Sequence, residues 1–400
     1  LFPYTTLFRS DNGITPLFIA SGNGHLEVVK TLLAGGAAVD QARTDDGATP
    51  LLIASQQGHK EIVTALLAKG APIDKATNNG LTPLFMASCN GHTATVQVLI
   101  NAGAAVDQAR TDGATPLFIA SQNSHLEVVN ALLAAGAAIN QADTDGSTPL
   151  HSASYNGKTE VVQALLDAGA AVNQAHDGGE TPLFIAATQG HVEVVKALIA
   201  ARAAVNQART DGVTPLYMAS QNGHTEVVKA LLNAGAAVNQ ACTSDRATPL
   251  FIAAQEGHLR VVKALIHAGA ALDEVSSLRG STPLLMASQQ GHPKVVQALL
   301  NAGASLDQMN FHTDTPLSIA RSNGHRDIVA MLSEEQEARQ RFSLLRAAWL
   351  SAVARTPGPP ARSATAFSFR AGAEAGLKRL CTGGSDTKDQ GPPLKSIKKT

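Results

Sequence analysis

The chain has 400 residues, of which 44% are hydrophobic but only 4% aromatic, and a net charge of −1. The apolar content suffices for a core, and the shortage of rings makes it a thin, extended core of Ala, Leu, Val and Ile. The near-neutral total hides a split, since residues 11–333 hold 18 Lys/Arg against 26 Asp/Glu and residues 357–400 hold 8 against 3. An acidic body argues against nucleic acid as a partner, because phosphate binding needs clustered cations.

Residues 1–10, Leu-Phe-Pro-Tyr-Thr-Thr-Leu-Phe-Arg-Ser, are the translation of CTC TTT CCC TAC ACG ACG CTC TTC CGA TCT. That string resembles a short-read sequencing adapter through all ten codons, so the segment is expected to be foreign to the natural protein and to take no part in its fold. The chain begins with Leu and not Met, so the natural N-terminus and any targeting signal are not visible in it.

From residue 11 the sequence repeats itself. Thr-Pro-Leu begins at Thr15, Thr49, Thr82, Thr115, Thr148, Thr181, Thr214, Thr248, Thr282 and Thr315, at intervals of 33 or 34 residues. A fixed period of this length is the signature of a stacked repeat array. In the fourth copy, Asp112-Gly113 has turn chemistry, Thr115 is a candidate helix cap and Pro116 suits the first helical position. A short first helix should end near Asn123. A second helix carries Leu126, Val129, Leu132 and Leu133 on one face, with Glu127 in its first turn where the dipole favours a carboxylate. Gly136 should stop it in the left-handed conformation. Two such helices cannot bury their apolar faces alone, so neighbours must stack, with axes about 8–10 Å apart.

These residues resemble the ankyrin repeat family, whose unit is a β-turn plus helix–turn–helix with a T-P-L-H-x-A signature. The closest local match is Thr148-Pro149-Leu150-His151-Ser152-Ala153, and Asn-Gly-His-x-Glu-Val-Val also recurs, as at Asn23 to Val29. The likeness runs over residues 11–333. It implies an all-α solenoid of stacked helix–turn–helix units joined by β-turn or hairpin loops. Only the fifth copy keeps the signature His; the slot elsewhere holds Phe18, Leu52, Phe85, Phe118, Phe184, Tyr217, Phe251, Leu285 or Ser318.

Past the repeats, residues 334–356 place Phe342, Leu345, Trp349 and Val353 at helical spacing among Arg339, Arg341 and Arg346. A basic amphipathic helix is expected there, either docking back as a cap or presenting a ligand for a calmodulin-type groove or a membrane surface. Residues 357–400, rich in Pro, Gly, Ser and Lys, read as a disordered basic tail. Cys89, Cys242 and Cys381 form no CxxC and no framework, and no N-glycosylation sequon occurs. Both features point to an intracellular, most simply cytoplasmic, compartment. No apolar run approaches the roughly 18 residues of a transmembrane helix.

Candidate chemistry is sparse. A His ladder (His25, His59, His92, His125, His191, His224, His258, His292 and His325) invites a metal reading. Neighbours one stack apart, some 8–10 Å, cannot share an ion whose bonds to nitrogen are about 2.0–2.1 Å; hydrogen bonding at the inter-helix turn is the expectation. Gly157-Lys158-Thr159 ends like a phosphate-binding loop, but Ser152 stands where that motif needs Gly. No catalytic, cofactor or metal set is expected.

The resemblance implies a concave binding face made from hairpin tips and the exposed side of the first helices. Gln and Asn dominate the helix slots, which include Gln122, Asn123, Asn156 and Thr188, and the tips include Arg110, His176 and Arg209. Tyr155 is the only aromatic in the helix slot, and His176 and Glu180 depart from the usual tip sequence beside it. These nine residues are the candidate contacts. The expected function is that of a non-catalytic scaffold or adaptor, monomeric, that binds protein partners along the groove. The alternative is the targeting segment of a larger enzyme of kinase or ubiquitin-ligase type.

Overall fold

The computed structural model describes residues 12–277 and 279–355. The segments expected to be an adapter-derived leader, 1–10, and a basic tail, 357–400, lie outside the described residues. Twenty helices and no strand occur among those described. The chain divides into two compact units, Leu1–Pro283 and Leu284–Thr400.

In the first unit each repeat is a pair of antiparallel helices. The fourth is typical, with helices Pro116–Asn123 and Leu126–Ala134. The start of the first helix is set by two adjacent residues. Thr115 is extended and its hydroxyl accepts the Phe118 amide N–H at 3.1 Å, while Pro116 occupies the first turn, where a missing N–H costs nothing. Leu117 and Ala120 from this helix and Val128, Val129 and Leu132 from the next are buried. First helices pack on first helices of the adjacent repeats and second helices on second helices. The core is therefore a continuous seam of small aliphatic side chains, as the scarcity of rings requires.

Two sets of polar bonds stitch the seam. At one end, a His in the inter-helix turn reaches back to the last turn of the preceding first helix. His92 Nε2 meets Gln56 O at 3.0 Å, His125 meets Cys89 O at 3.0 Å and His191 meets Tyr155 O at 2.9 Å. At the other end, the side-chain Oδ1 of an Asp or Asn accepts the amide N–H of the next arm, as from Ala138 to Asp107 at 2.8 Å and from Ala204 to Asn173 at 2.7 Å. Successive tips are joined by single backbone bonds such as Thr144 N–H to Asp112 O, 2.8 Å.

In the second unit, helix Pro293–Ala302 ends at Gly303 with φ 97°. The last helix runs unbroken from Arg326 to Arg355. The second helix of the tenth repeat and the amphipathic segment expected separately at 334–356 are one element. The reason lies at position 336. Gly303 and its equivalents, with Arg202 in the sixth repeat, end the earlier second helices in the left-handed conformation, whereas Gln336 in that slot stays helical and no Pro intervenes before Pro357. Arg339 fastens the extension. Its guanidinium donates to Ala304 O at 2.9 Å and pairs with Glu335 at 2.7 Å. Phe342 and Trp349 are half-buried, and Leu344 and Leu345 are exposed.

Candidate functional site

The first-helix and tip face of repeats four to six contains a cavity of about 340 Å³. Its walls come from three sources. The first helices supply Gln122, Ser152, Tyr155, Asn156, Ile185, Thr188 and Gln189; the aromatic slots supply Phe118 and His151; the tips supply Asp143, Ser147, His176 and Glu180. Six of the nine candidate contacts are thus brought together: Tyr155, Asn156, His176, Glu180, Thr188 and Gln122. Asn123, Arg110 and Arg209 do not line it.

Tyr155 ends the helix Pro149–Tyr155 and is 56% exposed, so its ring stands at the cavity with little packing around it. Asn156 donates to Ser152 O at 3.0 Å and the Thr188 hydroxyl to Phe184 O at 2.9 Å. Asn123 is turned away to Cys89 O, 2.8 Å. Gln122 is exposed on the helix Pro116–Asn123.

Beneath Tyr155 lies a polar chain that no other repeat has. His151 is 1% exposed. Its Nδ1 accepts the Thr148 amide N–H at 3.1 Å and faces the Thr148 hydroxyl at 2.8 Å, closing a capping box at the helix start. Its Nε2–H then donates to Glu180 O, 3.2 Å. Both ring nitrogens are satisfied by a neutral imidazole, and burial pushes its pKa down to about 4. The His176 ring lies 5.8 Å from that of His151. His176 accepts the Gly178 amide N–H at Nδ1, 2.7 Å, and donates from Nε2 to Glu180 Oε2, 3.2 Å. Glu180 Oε1 receives Arg209 Nη1 at 2.9 Å.

Arg209 and Arg110 have other duties. Arg209 pairs with Asp211 through Nε at 3.1 Å and Nη2 at 2.6 Å, and its guanidinium covers Phe184. Hydrogen bonding to Asp211 raises its pKa further above the ordinary arginine value. Arg110 is bonded to Asp112 and covers Phe85. Its hydrogen bond holds Asp112 below the usual carboxylate range. These arginines are internal struts between an aromatic slot and a tip.

Beyond the nine candidates, the cavity is lined by Phe118, Asp143, Ser147, His151, Ser152, Ile185 and Gln189. The available signal was the pairing of two ladders. Four aromatic slots meet the tip residue 25 positions later: Phe18 meets Arg43, Phe85 Arg110, His151 His176 and Phe184 Arg209.

The family described as ankyrin repeats in three copies matches residues 3–77, 69–143, 135–209, 200–276 and 268–341. The chain belongs to the ankyrin repeat family. Among solved structures it is similar to the human ASB11 ankyrin repeat domain, with 32% identity and a TM-score of 0.51, over 55% of this chain and 98% of that one. No curated protein matches. No helix among the described residues is long and apolar enough to cross a membrane.

Proposed function

We propose that the chain is a non-catalytic scaffold that holds a protein partner against the first-helix and tip face, with its principal contact at the cavity of repeats four to six. Ankyrin repeats are protein-interaction modules, and this one presents a stiff stack whose preorganisation lowers the entropy lost on docking. The observation that carries the reading is the exposed Tyr155 ring beside a cavity lined by Gln122, Asn156 and Thr188. Tyrosine is a frequent hot-spot residue because it combines apolar area, a hydroxyl and few rotatable bonds. Elsewhere the corresponding slot holds side chains such as Gln56, Gln221 and Gln289, which give adaptable but weak contacts.

The test is partner capture followed by affinity measurement. Tyr155→Ala should weaken binding by about 2 kcal/mol, and Gln122→Ala by much less. Equal effects would mean that binding is spread evenly along the face.

A further inference from the structure

Three arginines of the first unit repeat one arrangement. The guanidinium carbons of Arg43, Arg110 and Arg209 lie 5.7, 5.4 and 5.6 Å from the ring centroids of Phe18, Phe85 and Phe184. Each arginine is also bonded to a carboxylate of its own tip, Asp46, Asp112 or Asp211. A ring face attracts a cation and a carboxylate accepts its fork of N–H groups. The space between an aromatic slot and a tip carboxylate is thus shaped for a guanidinium, and the chain fills it three times from within.

In repeat four the ring is kept and the arginine is not. Phe118 holds the aromatic position, but Asp143 stands where the three tips above have arginine. Its Oδ1 accepts the amide N–H groups of Asp145 at 3.0 Å and Ser147 at 2.8 Å, which fixes the carboxylate. Among the described residues none donates a hydrogen bond to its Oδ2.

Both Phe118 and Asp143 line the cavity of about 340 Å³, together with Tyr155 and Gln122. At about 30 Å³ per water this is room for roughly ten waters. The other acid lining the cavity, Glu180, is already held by His176 and Arg209. Two other rings are followed by an uncharged residue at the arginine position, Tyr217 by Cys242 and Phe251 by Ser276. Among the described residues, repeat four joins an aromatic slot to a carboxylate at the tip position that arginine takes in three other repeats, with no cation bonded to that carboxylate.

We propose that this cavity binds an arginine side chain of the partner protein, its guanidinium over Phe118 and paired with Asp143, its stem flanked by Tyr155 and Gln122. The partner supplies in trans the group that Arg110 supplies in cis one repeat earlier. This rests on the reading of the cavity as a protein-docking site. Arginine is favoured over lysine because a planar fork stacks on a ring and bonds a carboxylate at once, which a compact ammonium cannot do.

The test is calorimetric titration of the full chain with the capped pentapeptide Ala-Gln-Arg-Gln-Ala and its lysine and citrulline counterparts. The arginine peptide should bind in the millimolar range, with lysine weaker and the isosteric but neutral citrulline weaker by about tenfold or more. Asp143→Asn, which keeps the Oδ1 bonds, should weaken the arginine peptide about tenfold. Asp143→Arg should abolish binding by filling the slot from within, with the thermal midpoint retained. Asp145→Asn, two residues on but outside the cavity, should change nothing. Equal binding of citrulline, indifference to Asp143→Asn, or no heat from the arginine peptide would each overturn the proposal. Were any of these found while Tyr155→Ala still released a captured partner, the docking site would stand with a different occupant. Were Tyr155→Ala without effect on capture, the docking reading itself would fall.

Discussion

Gly91 and His125 meet across a repeat boundary so closely that a β-carbon on Gly91 would stand 2.5 Å from His125 Nδ1. The same imidazole donates to Cys89 O, two residues before that glycine. The glycine therefore serves two ends. It takes φ 73° to close the turn, and its bare α-carbon leaves room for the next repeat's ring. Gly324, at the equivalent place in the tenth repeat, has φ 77° and nothing within 4 Å of a β-carbon. Gly91→Ala should cost about 3 kcal/mol, combining left-handed strain with a displaced hydrogen bond. Gly324→Ala should cost about 1 kcal/mol, from strain alone. Urea unfolding midpoints check the difference, and equal losses would mean that His125 moves aside freely.

Repeats four and five run the same experiment naturally. Ser124 holds the glycine slot, at φ 67°, and the next repeat has Lys158 where the others have His. A serine β-carbon can stand there because no ring follows. Lys158→His should therefore fail to stabilise the chain by itself. Combined with Ser124→Gly it should gain a bond to Gln122 O, with a coupling energy of about 1 kcal/mol or more in a double-mutant cycle. Additive single effects would refute the linkage.

Arg202 occupies the slot that Gly36, Gly70, Gly103 and Gly136 fill after other second helices, and it takes φ 65°. No β-carbon contact within 4 Å attends those glycines, so the penalty at Arg202 is one of backbone conformation only. Arg202→Gly should raise stability by about 1 kcal/mol, read as a higher urea midpoint. This strain was legible in the sequence, because a repeat supplies its own reference for each slot. The helix starts at Thr-Pro, the buried Leu and Val face and the exposure of Tyr155 were legible for the same reason. The bond between Asp143 and its own tip, the stacking of Arg110 on Phe85 and the burial of His151 were not. They depend on how a tip folds back over a ring 25 residues earlier, a distance that neither helical period nor turn chemistry encodes. The continuous helix Arg326–Arg355 was half legible, since the missing stop glycine at Gln336 could be read but its docking through Arg339 could not.

His151 makes stability depend on pH. Its folded pKa of about 4 lies below the ordinary 6.5 because burial disfavours the charged ring. The unfolded chain then binds the proton more tightly. The contribution of this residue is complete above about pH 6.5, declines as pH falls, and is lost once pH passes below about 4. The loss integrates to at most about 3 kcal/mol. Thr148, His176 and Glu180 face the ring; the Glu180 carbonyl and carboxylate favour the proton, but burial outweighs them. His151→Phe, the residue of most other repeats, should flatten the thermal midpoint between pH 6.5 and 4.5. An unchanged slope would place the acid sensitivity elsewhere.

The last helix is anchored by one cation. Arg339 satisfies Ala304 O, just past the end of Pro293–Ala302, and is itself steadied by Glu335 one turn earlier. Carbonyls at a helix end lack intrahelical donors, and a positive group there also meets the negative end of the dipole. Arg341, two residues on, pairs only with Glu337 at 3.0 Å, and both side chains are largely exposed. An exposed pair of this kind contributes little. Arg339→Ala should thus destabilise the C-terminal unit by about 1–2 kcal/mol, and Arg341→Ala by less than about 0.5 kcal/mol. Hydrogen exchange at Val329 to Leu332 reports the effect locally. Faster exchange in the Arg339 variant alone is the expected result, and parallel acceleration in both would show that helix propensity, not this anchor, holds the extension in place.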